Sequence, residues 1–312
     1  MVLITGSLAY DQIMDFPGKF SDHILPDKIH ILNVSFLVDK LRKGYGGTAG
    51  NIAYTLSLLG VKTAILGIVG GDFKPYRNFL EKNEVETKLI KTIHHFNTSA
   101  AFGITDSTDN QIWGFYTGVD SLSDQLTIDS VKEKIDFAIV APQNPKAMTK
   151  FSHQYTKKEI PYLFDPGMQL PWLSGADLIS AFEGAKIIIG NDYEMDVMEK
   201  KTNISDIHKK FTDKFVITTL GGKGSQVSFR GKMYKVSSAT VKNASDPAGA
   251  GDAYRAGYVA GFLRGFPCQI CAQMGSVASA YTVEKYGTTT HFYTLLEFQK
   301  RYRDNFGEEI KF

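Results

Sequence analysis

Short, largely apolar runs alternate with helix-like segments along most of this 312-residue chain. The apolar runs have the length of buried strands and lie at residues 2–4, 63–69, 137–140, 162–164, 186–189 and 215–218. The helix-like segments lie at residues 52–59, 73–82, 145–157 and 204–211. Alternation of this kind predicts a mostly parallel sheet covered by helices on both faces. In such a sheet, binding sites gather beyond the carboxyl ends of the strands.

Two regions break this alternation, at residues 16–43 and 100–116. In the second region, apolar residues alternate on either side of the turn-rich segment 106–110, which predicts a hairpin. We expect both regions to form a small β-sheet inserted in an otherwise single α/β unit that covers residues 1–312. The exposed apolar face of this small sheet is a candidate surface for pairing with a second subunit.

A glycine-rich turn opens a helix near the end of the chain, in the sequence DPAGAGDAYRAG at residues 246–257. The first turn of a helix leaves backbone N–H groups without partners and carries partial positive charge, so Gly249, Ala250 and Gly251 can hold a phosphate. Asp252 follows as a surface-facing carboxylate that could accept a hydroxyl proton during phosphoryl transfer. The alternative is that Asp252 only complements the helix dipole. The absence of G-x-x-x-x-G-K-[ST] and H-R-D motifs argues against P-loop and protein-kinase architectures.

A second glycine-rich segment, GYGGTAGN at residues 44–51, runs into the helix-like segment 52–59. Alone, it is typical of a tight strand-to-helix connection. With residues 246–252 it gives the pair GGxxGN and DxxGAGD, whose order and spacing resemble the signature regions of the ribokinase-like family, also called PfkB carbohydrate kinases. The resemblance implies a three-layer α/β/α fold with a mostly parallel central sheet and a small β-sheet lid, for which residues 16–43 and 100–116 are the candidates.

Other motifs support this resemblance along nearly the whole chain. Gly6, Ser7 and Asp11 lie at the end of the first strand, NDYE at 191–194 looks like the family's N-x-x-E motif, and TLGGKG at 219–224 matches its nucleotide-side glycine turn. Within the family, TGSLAYDQIMDFPGKFSD, SFLVDKL, NDYE and DPAGAGDAYRAG look most like the bacterial-type adenosine kinases. The resemblance therefore implies ATP-dependent phosphorylation of the 5′-hydroxyl of adenosine, giving AMP in purine salvage, with ATP and Mg²⁺ as cofactors.

The resemblance also implies roles for individual residues. Asp252 would be the general base, and the turn Gly249, Ala250 and Gly251 would hold the developing negative charge. The acceptor would be bound by Asp11, Gly46, Gly47 and Asn51 at the ribose and by Ser7, Ser35, Phe102, Phe115 and Gln169 around the base, where the two aromatic rings supply a flat apolar contact or else belong to the core of the lid. The nucleotide would be bound by Asn191, Glu194, Thr219, Gly221, Gly224 and Arg255. Glu194 would organise Mg²⁺ through water, and Arg255 would contact the transferring phosphate or form a salt bridge.

Several alternatives stay open. Pro247 stands where most family members have Thr, which leaves the need for a monovalent cation open. The acceptor could be a sugar such as ribose or fructose, or another nucleoside such as inosine or guanosine, because such kinases share the phosphate machinery. The aromatic pair favours a nucleoside over a free sugar. A nucleotide-binding regulator without catalysis is a further alternative, against which the intact Asp252 turn counts.

Composition narrows the partners and the location. With 35 basic and 33 acidic side chains, the formal charge of +2 gives no field for a polyanion, so we expect no nucleic-acid partner. No run of 18 apolar residues occurs and the first residues show no signal-peptide pattern, so we expect a cytoplasmic protein with no membrane association. Cys268 and Cys271 form the only C-x-x-C pair, and they lack the partners of a zinc site, so we expect reduced, partly buried thiols.

Overall fold

The computed structural model describes residues 1–25, 30–31, 33–108 and 110–312. Its strands are β1 (Val2–Thr5), β2 (Ala9–Asp15), β3 (Lys40–Gly46), β4 (Thr63–Ile65), β5 (Gly67–Gly70), β6 (Ile90–Ile93), β7 (Ser99–Thr105), β8 (Gln111–Tyr116), β9 (Phe137–Val140), β10 (Tyr162–Phe164), β11 (Ile187–Asn191), β12 (Phe215–Thr219), β13 (Ser225–Phe229) and β14 (Lys232–Val236). Its helices are α1 (Thr48–Leu58), α2 (Lys74–Lys82), α3 (Pro145–Lys157), α4 (Gly175–Gly184), α5 (Asp192–Thr202), α6 (Ile207–Lys210), α7 (Ala250–Leu263), α8 (Cys268–Val283) and α9 (Leu295–Phe306).

The central sheet has eight strands in the order β14-β13-β12-β11-β10-β9-β1-β4. The pairings from β4 through β12 are parallel, and β13 and β14 pair antiparallel at one edge. Successive strand residues point to opposite faces: Leu3 packs in a buried cluster with α3, α4 and α5, whereas Ile4 packs in a second cluster with α1, α7 and α8. The prediction of a three-layer α/β/α fold with a mostly parallel central sheet is confirmed.

Two segments differ from the sequence prediction. The apolar run 63–69 divides into β4 in the central sheet and β5, which pairs with β6 in a separate two-stranded parallel sheet. A continuous apolar run does not reveal which sheet each residue joins. The helix predicted at 204–211 is only the four-residue α6, because Asn203 ends α5 in the left-handed region at φ 56° and Asp206 then caps α6 through the Lys209 N–H at 2.9 Å.

Four strands form a smaller sheet in the order β3-β2-β7-β8, which we call the small sheet. It contains the predicted hairpin as β7 and β8, but β2 precedes the predicted region 16–43 and β3 extends beyond its end. Much of that region forms no strand, and residues 26–29, 32 and 109 of the two predicted lid regions lie outside the described residues. Asp106 ties the hairpin to this region by accepting the backbone N–H of Phe20 at 3.0 Å and that of Thr108 at 2.9 Å.

The two cysteines lie at the start of a helix near the end of the chain. Cys268 and Cys271 open α8 directly after α7, and both thiols are free and buried. Burial raises the pKa of the Cys271 thiol to about 12, which keeps it protonated at neutral pH. The last helix of the chain is α9, which begins after the cap residue Thr294. In the part of the chain that the structure describes, none of the helices combines the length and apolar character that crossing a membrane requires.

Candidate active site

The glycine turn before α7 has the geometry of an anion-binding helix start. Gly249 is the residue before the helix and adopts φ 75°, in the left-handed region that favours glycine. A Cβ there would lie 2.9 Å from the Cβ of Thr288, so no larger residue fits without displacement. Ala250 and Gly251 begin the helix, where backbone N–H groups lack intrahelical partners and the dipole is positive. A phosphate can therefore approach the backbone closely at this turn.

Asp252 lies in the first turn of α7, where its side chain is half-buried. Its Oδ2 accepts a hydrogen bond of 2.8 Å from the side-chain amide of Asn51, which α1 contributes. Burial raises the pKa of Asp252 to about 7, although Arg255 and the Asn51 hydrogen bond act in the opposite direction. The carboxylate is thus less exposed than the surface-facing group that the sequence predicts. A carboxylate with a pKa near neutrality is suited to accept a proton at physiological pH.

Asp11 lies on β2 in the small sheet, close enough to Asp252 for its charge to act on that residue. It therefore does not extend β1, as the sequence suggested: Gly6–Leu8 separates the two strands. Burial raises the pKa of Asp11 to about 6, and the negative charge of Asp246 adds to the effect. Gly46 on β3 leaves room for this carboxylate, because a Cβ on Gly46 would lie 2.2 Å from Oδ2 of Asp11.

Residues of the first glycine-rich segment connect the small sheet to α1. Gly46 ends β3, Gly47 adopts φ 83°, and the helix begins at Thr48 rather than at residue 52 as predicted. Ser7 accepts the backbone N–H of Thr48 at 3.1 Å through its hydroxyl, so this side chain holds the start of α1. The structure thus brings Ser7, Gly46, Gly47 and Asn51 together at one strand-to-helix connection.

The register of the small sheet separates the two aromatic residues expected at the base. Asp11 pairs with Ala101 on β7, and Ala101 pairs with Phe115 on β8, so Phe115 lies on the face of Asp11. Phe102 is the neighbour of Ala101 and therefore lies on the opposite face. The expectation that both rings contact one base together is corrected by this register.

Trp113 is a residue of the same face that the sequence reasoning missed. It lies two residues before Phe115 on β8, and the two rings stack with centroids 6.0 Å apart. Its side chain is 37% exposed and that of Phe115 is 67% exposed, so both offer apolar area to a ligand. The signal in the sequence was the period of two, since residues 113 and 115 of one strand must share a face.

Ser35 and Gln169 are less closely connected to this site. Ser35 is exposed in a segment without regular structure, and Gln169 lies half-buried in a 3-10 turn at Gly167–Trp172. Among the described residues, neither side chain forms a hydrogen bond with Asp11, Asn51 or Asp252. Their assignment to the base remains an expectation.

The nucleotide-side motifs meet at the carboxyl edge of two neighbouring parallel strands. Asn191 ends β11 and Thr219 ends β12, and the register pairs these two residues directly. Gly221 and Gly224 shape the next turn at φ 56° and 92°. A Cβ on Gly221 would have no neighbour within 4 Å, so this side of the turn is open to a ligand.

Glu194 is held by a capping box at the start of α5. Asn191 Oδ1 accepts the backbone N–H of Glu194 at 2.8 Å, and Glu194 Oε2 accepts the backbone N–H of Asn191 at 2.7 Å. Burial raises the pKa of Glu194, and the nearby charge of Asp165 contributes. The described residues contain no cluster of three His, Cys, Asp or Glu side chains that could hold a metal. A single carboxylate such as that of Glu194 fits an ion that keeps most of its waters and binds mainly to phosphates, as Mg²⁺ does.

Arg255 forms a buried ion pair with Asp165, which directly follows β10. Their exposed fractions are 6% and 1%, and the guanidinium Nη2 donates to Asp165 Oδ1 at 2.8 Å. The sequence reasoning named Arg255 with a salt bridge as one alternative, but it missed Asp165. The signal was an aspartate directly after the apolar run 162–164, at a strand carboxyl end.

The chain is similar to known kinases over most of its length. The model of the pfkB family carbohydrate kinase matches residues 10–294. The nucleoside kinase of Methanothermobacter thermautotrophicus is 30% identical over 316 residues, which cover 99% of this chain and 97% of that protein. The Methanocaldococcus jannaschii nucleoside kinase, an archaeal member of the ribokinase family, has a TM-score of 0.88 at 25% identity, covering 97% of this chain and 98% of that one.

The nucleoside kinase of Burkholderia thailandensis is a further structural neighbour. Its complex with inosine has a TM-score of 0.89 at 31% identity and covers 100% of both chains. Its complex with ADP-inosine has a TM-score of 0.87 at 33% identity and covers 100% of this chain and 98% of that one. These matches identify the fold as ribokinase-like. The chain therefore belongs to the pfkB family of carbohydrate kinases and is a phosphotransferase with an alcohol group as acceptor.

Proposed function

We propose that this protein transfers the γ-phosphoryl group of ATP to the 5′-hydroxyl of a purine nucleoside. The observation that carries the proposal is the hydrogen bond between Asn51 and Asp252. It joins the first glycine-rich segment to the helix start that can hold a phosphate, so the acceptor side and the phosphate side meet at one carboxylate. The nucleoside kinases among the relatives support a nucleoside as the acceptor.

In the proposed reaction, Asp252 accepts the proton of the 5′-hydroxyl as that oxygen attacks the γ-phosphorus. The pKa of about 7 leaves a substantial fraction of the carboxylate ionised at neutral pH, which a base requires. The N–H group of Gly251 stabilises charge on the transferring phosphoryl oxygens, and that of Ala250, which donates to the Pro247 carbonyl at 3.2 Å, adds to the positive potential of the same helix start. Phosphoryl transfer depends mainly on such positioning and electrostatic stabilisation, so this short turn supplies most of what the chemistry needs.

The ribose and the base would be held by different strands of the small sheet. Asp11 accepts hydrogen bonds from the 2′- and 3′-hydroxyls, because a carboxylate can accept from two neighbouring donors. Phe115 and Trp113 lie on β8, on the same face of the small sheet as Asp11. Strand β8 is two strands away from β2, which corresponds to about 10 Å at the usual spacing between strands. Their rings offer a flat apolar surface for a purine.

The nucleotide would lie along the turn after β12, with Asn191, Thr219, Gly221 and Gly224 at its phosphates and sugar. Mg²⁺, when bound with ATP, would neutralise phosphate charge and orient the γ-phosphoryl group. Glu194 would bind water molecules of that ion through its Oε1 atom, because its Oε2 atom accepts the Asn191 N–H in the capping box.

Adenosine is the acceptor that the sequence motifs favour, and inosine is the alternative that the inosine complex of the Burkholderia thailandensis enzyme favours. Phosphorylation of adenosine would give AMP and place the protein in purine salvage. The test is ADP release with MgATP and adenosine, inosine, guanosine, ribose or fructose. Asp252→Asn serves as the control, and we expect it to lower turnover about 10²-fold to 10⁴-fold.

The outcomes of this test are distinct. Turnover with nucleosides that is lost in Asp252→Asn supports the proposal, and the better of adenosine and inosine identifies the acceptor. Turnover with ribose or fructose alone would retain the kinase but refute the nucleoside site. Near-normal turnover of Asp252→Asn would refute the role of this carboxylate.

We also propose that the protein forms a homodimer through the outer face of the small sheet. This face, opposite Asp11, exposes four apolar or aromatic side chains that are between 40% and 54% accessible: Leu41, Phe102, Ile112 and Tyr116. Gln12 and Lys43 share this face, and an exposed sheet face with several apolar side chains is typical of a protein–protein interface.

A further inference from the structure

The ion pair of Arg255 and Asp165 lies close enough to the candidate base to act on its charge. Arg255 is three residues after Asp252 on α7, so the two side chains are neighbours on the helix surface. Asp165 approaches from the central sheet, directly after β10. The Arg255 Nη1 also donates to the backbone carbonyl of Gly251 at 2.9 Å. The guanidinium therefore contacts both the sheet and the first turn of α7.

These contacts leave Arg255 little freedom to follow a phosphate. Nε and Nη2 face the two oxygens of Asp165, and Nη1 is bound to Gly251. Moving the guanidinium to a ligand would leave the carboxylate of Asp165, which is 1% exposed, buried without its partner. Breaking a buried pair in this way is strongly unfavourable. The pair is thus built to stay in place during turnover.

The groups that face Asp252 come from five elements. Arg255 on α7 is the cation that acts on it, Asn51 on α1 donates a hydrogen bond, and the neutral hydroxyl of Tyr76 on α2 is a further titratable neighbour. The carboxylates of Asp165 after β10 and Asp11 on β2 oppose its ionisation. Since Arg255 favours the charged form and Asp165 disfavours it, the two halves of one ion pair act on Asp252 in opposite directions.

We infer that Arg255 and Asp165 are positioning residues that keep Asp252 ionised and aimed as a base. Arg255 supplies the positive charge and fixes the carbonyl of Gly251, and Asp165 holds the guanidinium and moderates its charge. This inference rests on the proposed role of Asp252 as the base. It assigns to Arg255 a function through Asp252 rather than a contact with the transferring phosphate.

The test compares Arg255→Gln with Asp165→Asn, which each remove one charge with little change in shape. The measurement is the pH dependence of kcat and of kcat/KM for the nucleoside at saturating MgATP. Loss of the positive charge of Arg255 raises the pKa of Asp252. The acid limb of the pH–rate profile of Arg255→Gln should therefore move to higher pH. Loss of the negative charge of Asp165 lowers the pKa of Asp252, so the acid limb of the Asp165→Asn profile should move to lower pH. A limb displaced by one pH unit changes the rate on its acid side about tenfold.

Two further variants guard against a loss of folding. The double variant Arg255→Gln/Asp165→Asn leaves no lone buried charge, and its limb should lie between those of the single variants. Arg255→Lys keeps the charge but not the fork of donors, so its limb should stay near the wild-type position while kcat falls. Circular dichroism of each variant shows whether the fold is retained, and a ¹³C-carboxyl NMR titration of Asp252 gives the same shifts without turnover.

The results that would overturn the inference differ from those that would overturn the proposed function. Losses of activity in both single variants with unmoved limbs would make the pair merely structural. A raised KM for ATP in Arg255→Gln with an unmoved limb would instead make Arg255 a phosphate contact. If Asp252→Asn is active, the proposed base itself fails, whatever the two charge variants show.

Discussion

Replacing Gly46 by alanine should displace Asp11 and weaken the acceptor site selectively. A Cβ on Gly46 would lie 2.2 Å from Oδ2, 2.6 Å from Cγ and 2.7 Å from Oδ1 of Asp11. An ordinary contact begins near 3.4 Å, so the carboxylate must move by about 1 Å. The backbone of β3 is held in the small sheet by its pairing with β2, so the side chain of Asp11 gives way first.

A misplacement of about 1 Å in a binding group costs on the order of 10²-fold in rate. This corresponds to about 2.7 kcal/mol of lost transition-state stabilisation. We therefore expect Gly46→Ala to lower kcat/KM for the nucleoside about 100-fold. The KM for MgATP should change little, because the nucleotide turn after β12 belongs to the central sheet, whereas β3 belongs to the small sheet.

Gly114 offers a matched control within the same small sheet. A Cβ on Gly114 would have no neighbour within 4 Å, so Gly114→Ala should keep the wild-type kcat/KM for the nucleoside. Initial rates of ADP release at varied nucleoside and varied MgATP measure both variants. If both variants keep the wild-type kcat/KM for the nucleoside, the argument from the space around Asp11 is refuted. An equal loss in both would show that any added methyl group disturbs the small sheet.

Three other outcomes follow from the same geometry. Trp113→Ala should raise the KM for a purine nucleoside roughly tenfold, since stacking on one aromatic ring contributes about 1–3 kcal/mol per base. Phe102→Ala changes the opposite face of the small sheet and should leave that KM near its wild-type value. A larger effect of Phe102→Ala than of Trp113→Ala would contradict the register argument. Below pH 6, the affinity for nucleoside measured by calorimetry should fall about tenfold per pH unit, because the pKa of Asp11 is about 6 and only its ionised form accepts both ribose hydroxyls; affinity that is flat from pH 5 to 7 would oppose this. Phe102→Glu should convert a dimer to a monomer in light scattering, and a wild-type protein that is monomeric at the same concentration would remove the proposed interface.

The central fold was predictable because its signals are local. Buried parallel strands appear as short apolar runs, and the helix starts after Gly47 and Gly249 appear as glycine turns. The small sheet was harder, because its strands are partly exposed and its order and bounds depend on pairing between distant segments. Only three residues, Gly6–Leu8, separate β1 from β2, so the change of sheet before Asp11 left no clear mark in the sequence.

The site residues divide in the same way. Asn51 and Asp252 belong to motifs that the sequence displays, but the hydrogen bond between them joins residues 201 positions apart and needed the structure. Trp113 shares the face of Phe115 through the period of two along β8, but the face of Phe102 relative to them depends on a register that the hairpin turn sets, not on residue type. The partner of Arg255 came from another strand end, which no pattern on α7 indicates.

The path of the chain suggests how the acceptor site and the base are coupled. β3 forms part of the small sheet, and after the single residue Gly47 the chain enters α1, which carries Asn51. The carbonyl of Tyr45 on β3 also accepts a hydrogen bond of 2.8 Å from Thr288, whose side chain lies against Gly249. A shift of the small sheet on binding a nucleoside at Asp11 would therefore be transmitted to both sides of Asp252. Because Asp252 accepts its hydrogen bond from Asn51, we expect acceptor binding to change the proton affinity of the base, and the acid limbs of kcat and kcat/KM should then differ.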